Sequence, residues 1–218
     1  MKFQNRTEAG EKLAQELAKQ ALIHPLVLAL PRGGVPVGSA IAKALSCPLD
    51  VIPLMKIPFP WSPEANYGVV AMDGTTVLNM PLIDRLELSE AELKMSTSRV
   101  LQEAERRDHL YRRGEPFPGL ENRTVILIDD GLASGYSMFA AVSFAKKRRP
   151  LAIMVASPVI TDTAYRMLVA DKDIGGIIAL ARDAELLFSL PDYYREFPAV
   201  TDDDVVRILA ELRQSLRT

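Results

Sequence analysis

Short, mostly apolar stretches recur along this chain at residues 26–30, 124–128, 151–156 and 174–180. Each is too short for a helix and runs into turn residues, which predicts strands buried on both faces. Around them the apolar residues change to a three-to-four spacing. Residues 7–22 place Leu13, Leu17, Ala21 and Leu22 on one helical face, with Thr7 as the expected cap and Glu8 and Glu11 in the first turn. Residues 35–45, 137–147 and 162–169 predict further helices, the first with Pro36 where a missing N–H costs nothing. Thr201 is the expected cap of a final helix that opens on Asp202, Asp203 and Asp204. Strands alternating with helices at this spacing predict an α/β fold with a mostly parallel sheet.

The middle of the chain departs from that pattern. Residues 49–57 read as a strand interrupted at Pro53, hence an edge or bulged one. Pro58, Pro60 and Pro63 then exclude a helix, and residues 69–71 and 75–78 flank an Asp73-Gly74 hairpin signal. Ser89 and Glu92 form a capping box that opens a long polar helix to about Leu110. Arg106, Arg107, Arg112 and Arg113 crowd its end, where positive charge is favourable; most of this helix, His109 included, reads as solvated surface. His24 reads as a loop residue with no acidic neighbour in sequence.

Two turns carry candidate chemistry. In residues 124–138, TVILIDDGLASGYSM, the strand runs into Asp129 and Asp130, then Gly131, Leu132, Ala133, Ser134, Gly135, Tyr136 and Ser137, and then a helix. A strand-to-helix turn of this kind offers unpaired N–H groups, the positive helix end and two hydroxyls to one anion, and glycine lets the backbone come close. Carboxylates would repel a phosphate, so the acidic pair suits sugar hydroxyls or a divalent cation. The second turn, LPRGGVPVG, ends a strand in Pro31, Arg32, Gly33 and Gly34 before another helix start, again an anion site with a guanidinium fork. Plain alternatives are a capped strand-to-helix connection for the first and a tight turn with a solvated arginine for the second.

The first run resembles the phosphoribosyl pyrophosphate (PRPP) motif of the type I phosphoribosyltransferases. The resemblance extends over nearly the whole chain, including residues 192–205, and is strongest to a set of phosphoribosyltransferase-like proteins of unsettled substrate. It implies a twisted, mostly parallel sheet flanked by helices, as one domain over residues 1–218 with residues 58–119 as a lid or hood. It implies that Asp129 and Asp130 hold the ribose hydroxyls and that residues 133–137 hold the 5-phosphate. Pro31, Arg32, Gly33 and Gly34 become a diphosphate loop, with a cis peptide expected near Pro31–Arg32. Lys56 ends the next strand, where the most similar proteins carry arginine followed by lysine; Met55 stands in place of that arginine. Tyr111 to Gly114 is the part of the hood expected to reach the diphosphate, and the aromatic carboxyl-terminal segment (Phe188, Tyr193, Tyr194, Phe197) helps form the acceptor pocket.

The reaction implied is transfer of ribose 5-phosphate from PRPP to a nitrogenous acceptor, with Mg²⁺ and release of diphosphate. Asp129, Asp130 and Arg32 are its candidate catalytic residues, and the acidic pair is also the candidate metal-holding pair. Ala133 stands where purine salvage enzymes of the family carry an aspartate, which argues against that acceptor class. The alternative is a PRPP- or nucleotide-binding regulator without turnover, toward which Met55 and the bulky Tyr136 lean.

Composition narrows the partners. Over 218 residues the formal charge is −2, which leaves no basic field for a nucleic-acid polymer. Cys47 is the only cysteine and lies in an apolar stretch, so a core thiol in a reducing cytoplasm is expected. The sequence has no apolar run long enough to span a membrane, and its first residues lack a signal peptide's apolar centre. No G-x-G-x-x-G follows either candidate strand, against a dinucleotide-binding protein. A small phosphorylated ligand, no membrane and a homodimer are the remaining expectations.

Overall fold

The computed structural model describes residues 1–59, 61–184 and 188–215. Helix α1 (Arg6–Leu17) is capped by Asn5, whose side-chain oxygen accepts from the Glu8 N–H at 3.0 Å; the expected cap, Thr7, lies inside the first turn. The helix ends at Leu17, five residues before the sequence pattern does. His24 takes a left-handed φ of 44° ahead of Pro25, a conformation no helix runs through. Strand β1 (Leu26–Ala29), helix α2 (Gly34–Ala44) and strand β2 (Leu49–Val51) follow.

The single strand expected over residues 49–57 is two strands in different sheets. The chain leaves the first at Ile52 and Pro53 and re-enters as β3 (Leu54–Phe59), which pairs antiparallel with β4 (Ser62–Ala71). The Asp73-Gly74 hairpin joins β4 to β5 (Thr76–Leu78), Gly74 taking a φ of 81°. Helix α3 (Met80–Arg85) was not anticipated; it is one and a half turns long, with Asn79 as cap and Pro81 in its first turn. Helix α4 (Glu90–Arg112) opens on the predicted capping box, Ser89 with Glu92, and ends at the left-handed pair Arg113 and Gly114.

The remaining elements are β6 (Thr124–Ile128), α5 (Tyr136–Lys146), β7 (Ala152–Thr161), α6 (Asp162–Val169), β8 (Ile174–Asp183), a 3-10 turn at Leu190–Tyr193 and α7 (Asp202–Ser215). Thr201 caps the last helix as expected, its hydroxyl accepting from the Asp204 N–H at 3.1 Å. Among the described residues the strands form a five-stranded parallel sheet in the order β2-β1-β6-β7-β8 and a three-stranded antiparallel sheet, β3-β4-β5.

Each face of the parallel sheet is buried. Leu13, Leu17, Ile41 and Leu209, from α1, α2 and α7, pack on Val27, Ile126 and Ile128. Met138, Phe144 and Leu168, from α5 and α6, pack on Leu28, Leu127 and Val155. Cys47 belongs to the first of these clusters, and burial pushes its thiol up to about 11, which makes it core filler. Ile57, Phe59, Tyr67, Val70 and Ile83 form a separate core beneath α4.

The basic end of α4 departs from the solvated reading. Arg112 is 1% exposed and donates to Asp50 at 2.6 Å and to the Val51 carbonyl at 3.1 and 3.2 Å, its guanidinium 4.7 Å from the centre of the Phe117 ring. It also pairs with Asp108. The antiparallel insertion is thereby bolted to β2 of the main sheet.

Candidate active site

β1 and β6 are neighbours in register, Ala29 opposite Ile128, so the turns that follow them emerge side by side at the carboxyl edge of the sheet. That juxtaposition builds the site. Leu30 donates its N–H to the Ile128 carbonyl at 2.8 Å, and the Pro31–Arg32 peptide is cis, at the bond the resemblance pointed to. Behind it the first turn of α2 lies directly on the acidic pair. A Cβ on Gly33 would sit 2.1 Å from Asp130 Oδ2, and one on Gly34 would sit 2.7 Å from the Ile128 carbonyl oxygen.

The central turn lines a cleft of about 400 Å³ with Asp129, Asp130, Gly131, Leu132, Ala133, Ser134, Gly135 and Ser137; Lys56, Met138, Phe188 and Leu190 complete the lining. Gly135 needs its left-handed φ of 83° to turn the chain into α5. The Phe139 N–H donates to the Gly135 carbonyl at 2.9 Å, so the N–H groups of Tyr136, Ser137 and Met138 precede the first bond of the helix. They add to the two serine hydroxyls at the positive helix end. The turn is tied down from behind: the Thr161 hydroxyl donates to the Ala133 carbonyl at 2.5 Å, and the Leu132 N–H donates to the Val159 carbonyl at 2.9 Å.

The two carboxylates are unlike each other. Asp130 is buried; its Oδ2 takes the Arg6 Nε–H at 2.8 Å, and its backbone carbonyl takes the Tyr194 hydroxyl at 2.7 Å. Asp129 is half-buried at the cleft, with one oxygen accepting from the Asp130 N–H at 2.9 Å. Burial, then the negative charge of Asp130, pushes the Asp129 carboxyl well above the usual carboxylate range, while the Asp130 N–H and the Lys56 ammonium pull the other way.

Not every predicted residue joins this cleft. The Arg32 guanidinium is half-exposed and lies 3.5 Å from Asp202, which also accepts the Tyr111 hydroxyl at 2.6 Å. Tyr136 is half-buried and outside the lining. Tyr111 and Arg112, expected to reach a diphosphate, are buried against Asp202 and Asp50 instead. Of the aromatic segment, Phe188 reaches the cleft, whereas Tyr194 packs on Phe3 and Phe197. Sequence reasoning missed Arg6 entirely, because nothing local to residues 5–8 marks an arginine that meets Asp130.

One substitution probes this arrangement. Gly33 has a φ of −61°, which alanine tolerates, so Gly33→Ala acts through its Cβ alone. Asp130 cannot swing aside while Arg6 and Tyr194 hold it. We expect Gly33→Ala to destabilise the fold by about 1–3 kcal/mol from overpacking, measured by urea unfolding. Unchanged stability would show that Asp130 moves freely.

No family model matches the chain. It is 35% identical over 207 residues, 95% of its own length, to the Mycobacterium tuberculosis protein named "Putative phosphoribosyl transferase Rv0571c". It spans about half the length of the curated relatives it matches, 46% in this case. A crystal structure of TT1426 from Thermus thermophilus superposes with a TM-score of 0.81 at 35% identity, covering 97% of this chain and 99% of that one. The AQ2163 protein of Aquifex aeolicus, at 11% identity, a TM-score of 0.51 and coverage of 82% and 74%, shares the fold. A parallel sheet with an acidic pair and a hydroxyl-bearing turn at its carboxyl edge is the arrangement the resemblance called for. The chain belongs to the type I phosphoribosyltransferase family.

Proposed function

We propose that this protein transfers ribose 5-phosphate from PRPP to a nitrogenous acceptor, releasing diphosphate. The observation that carries this reading is the convergence of Asp129, Asp130, Ser134, Ser137 and Lys56 on one cleft. The 5-phosphate accepts from the serine hydroxyls and the free N–H groups that open α5. Asp129 and Asp130 accept from the ribose hydroxyls and fix the sugar. An acceptor nitrogen then donates its lone pair to the ribose anomeric carbon while the carbon–oxygen bond to diphosphate breaks, the leaving oxygen keeping that pair. Lys56 and the N–H groups of Arg32 and Gly33 stand ready to offset its charge.

Mg²⁺ fits this donor set in one way. Among the described residues no three His, Cys, Asp or Glu side chains converge on a metal site. Asp129 alone offers a carboxylate not taken by an arginine, which matches a cation that keeps its waters and shares substrate oxygens. When bound, Mg²⁺ would neutralise charge on the diphosphate. In this reading residues 58–119, which carry β4, β5, α3 and α4 and the end of β3, form the hood that keeps water from the ribosyl centre. A reducing cytosol suits a chain whose one cysteine is a free buried thiol.

One observation favours the second reading, a PRPP-binding regulator without turnover: the Arg32 guanidinium is paired with Asp202 rather than offered to the cleft. Titration calorimetry of PRPP with Mg²⁺, followed by ³¹P NMR for free diphosphate against a panel of nitrogenous bases, separates the two. A transferase binds PRPP and releases diphosphate with one base; a regulator binds and releases none. Failure to bind PRPP would overturn both.

A further inference from the structure

Arg6 is an arginine with almost no contact with water, placed 124 residues from the acid it meets. Its Nε–H donates to Asp130 Oδ2 at 2.8 Å, one Nη donates to the Pro198 carbonyl at 2.7 Å, and its guanidinium carbon lies 3.7 Å from the centre of the Phe197 ring. The fork is thus held on three sides, by Asp130, by a backbone carbonyl and by an aromatic face. The two chain segments that carry these groups are themselves bonded together. Phe3 donates its N–H to the Tyr193 carbonyl at 2.8 Å, Arg195 donates to the Phe3 carbonyl at 2.8 Å, and Glu196 donates to the Gln4 carbonyl at 2.9 Å.

Asp130 is gripped correspondingly. Arg6 holds its Oδ2, Tyr194 holds its backbone carbonyl, and Gly33 closes over the carboxylate so tightly that no side chain fits there. The carboxylate also interacts with the Asp129 carboxyl beside it, and Asp130 lines the cleft. Each contact restrains rotation of the carboxylate, and a site acid that cannot rotate loses no orientational freedom when substrate arrives.

We infer that Arg6 is a positioning residue: by engaging Asp130 Oδ2 it fixes the orientation in which the carboxylate meets the ribose of PRPP, and it ties that orientation to the pairing of residues 3–4 with residues 193–196. Arg6 itself stands behind the acid and outside the cleft lining. This role rests on the ribose-binding assignment of Asp130 made above. It predicts an effect confined to the sugar. A ligand that carries the diphosphate without the ribose does not meet Asp130 and does not sense Arg6.

The test is titration calorimetry, with Mg²⁺, of the wild-type chain, Arg6→Gln and Asp130→Asn, using PRPP and inorganic diphosphate as two separate probes. Arg6→Gln should weaken PRPP binding by about 10- to 100-fold, the scale set by a misplaced positioning group, and leave diphosphate binding within about 2-fold. Asp130→Asn should show the same selectivity. Should the glutamine variant not fold, Arg6→Lys keeps the charge and the stem but lacks the planar fork that engages Asp130, Pro198 and the Phe197 face together, and is expected to behave likewise. Equal weakening of both probes would mean a merely structural role and would overturn the inference, as would unchanged PRPP binding. A wild-type chain that binds diphosphate but not PRPP would instead sink the ribose assignment, and this inference with it.

Discussion

Asp129→Asn is expected to weaken PRPP binding in the presence of Mg²⁺ by about 100-fold and, in the free protein, to raise the melting temperature. The loss follows from removing a charged acceptor at the cleft, where hydrogen bonds to charged groups are worth about 1.5–3 kcal/mol, together with the one carboxylate free for the cation. The gain follows from the same charge. Burial and the neighbouring Asp130 raise the Asp129 carboxyl above the ordinary aspartate value of 3.8, so the folded chain holds that proton more tightly than the unfolded chain does. Between that value and the raised one the folded state binds more protons, and stability therefore falls as pH rises through the window. Asparagine carries no such charge, so the variant should lack that slope. At neutral pH the variant should therefore melt higher than the wild type. Calorimetric scans of both proteins from pH 4 to pH 8, set beside PRPP titrations, check both halves; a variant less stable than the wild type at every pH would refute the burial argument.

Arg112→Leu should be the most damaging single change outside the cleft, costing about 3–5 kcal/mol. The arginine is enclosed by Asp50, Asp108, the Val51 carbonyl and the Phe117 ring, and its loss leaves Asp50 buried and unpaired. Burial already pushes the Asp50 carboxyl up against the pull of Arg112, so without that partner the acid takes up a proton. The folded state then binds more protons than the unfolded one, and the destabilisation grows as pH rises. Replacing both partners, Arg112→Leu with Asp50→Leu, should recover most of the loss, because a buried ion pair is often no more stabilising than apolar side chains of similar volume. Urea unfolding of the two single variants and the double variant at pH 5 and pH 8 measures this. A double variant no more stable than Arg112→Leu would mean that the arginine acts through Val51 and Phe117, not through the ion pair.

These two residues illustrate what a linear reading reaches. Asp129 was identified from its neighbours in sequence, because a buried strand, a turn and a helix start are contiguous and the chemistry of the turn follows from local backbone geometry. For Arg112 the sequence offers only a basic helix end, with residues 111–114 expected to reach a diphosphate. Helix α4 is mostly polar, with Leu93, Val100 and Leu101 turned to the antiparallel core, and the approach of β2 and Phe117 removes Arg112 from water. Pro53 shows an intermediate case: it correctly marked an interruption, yet whether the strand bulged or crossed to a second sheet depended on where β4 lay.

The sequence by itself determined the alternation of strands and helices, the capping box of α4, the Thr201 cap, the hairpin at Asp73-Gly74, and the two glycine-bearing turns with their acids and hydroxyls. All of these depend on residues a few positions apart, where spacing and backbone preference decide the outcome. Only the tertiary structure decided that the two turns leave adjacent strands, that Lys56 shares the cleft while Arg32 turns to Asp202, and that Arg6 meets Asp130. The Arg6–Asp130 and Arg112–Asp50 pairs join positions 124 and 62 residues apart. A charge carries no record in the sequence of which opposite charge it will meet; its partner is set by which chain segments the packed sheet brings together, and by the desolvation that makes an unpaired charge costly there.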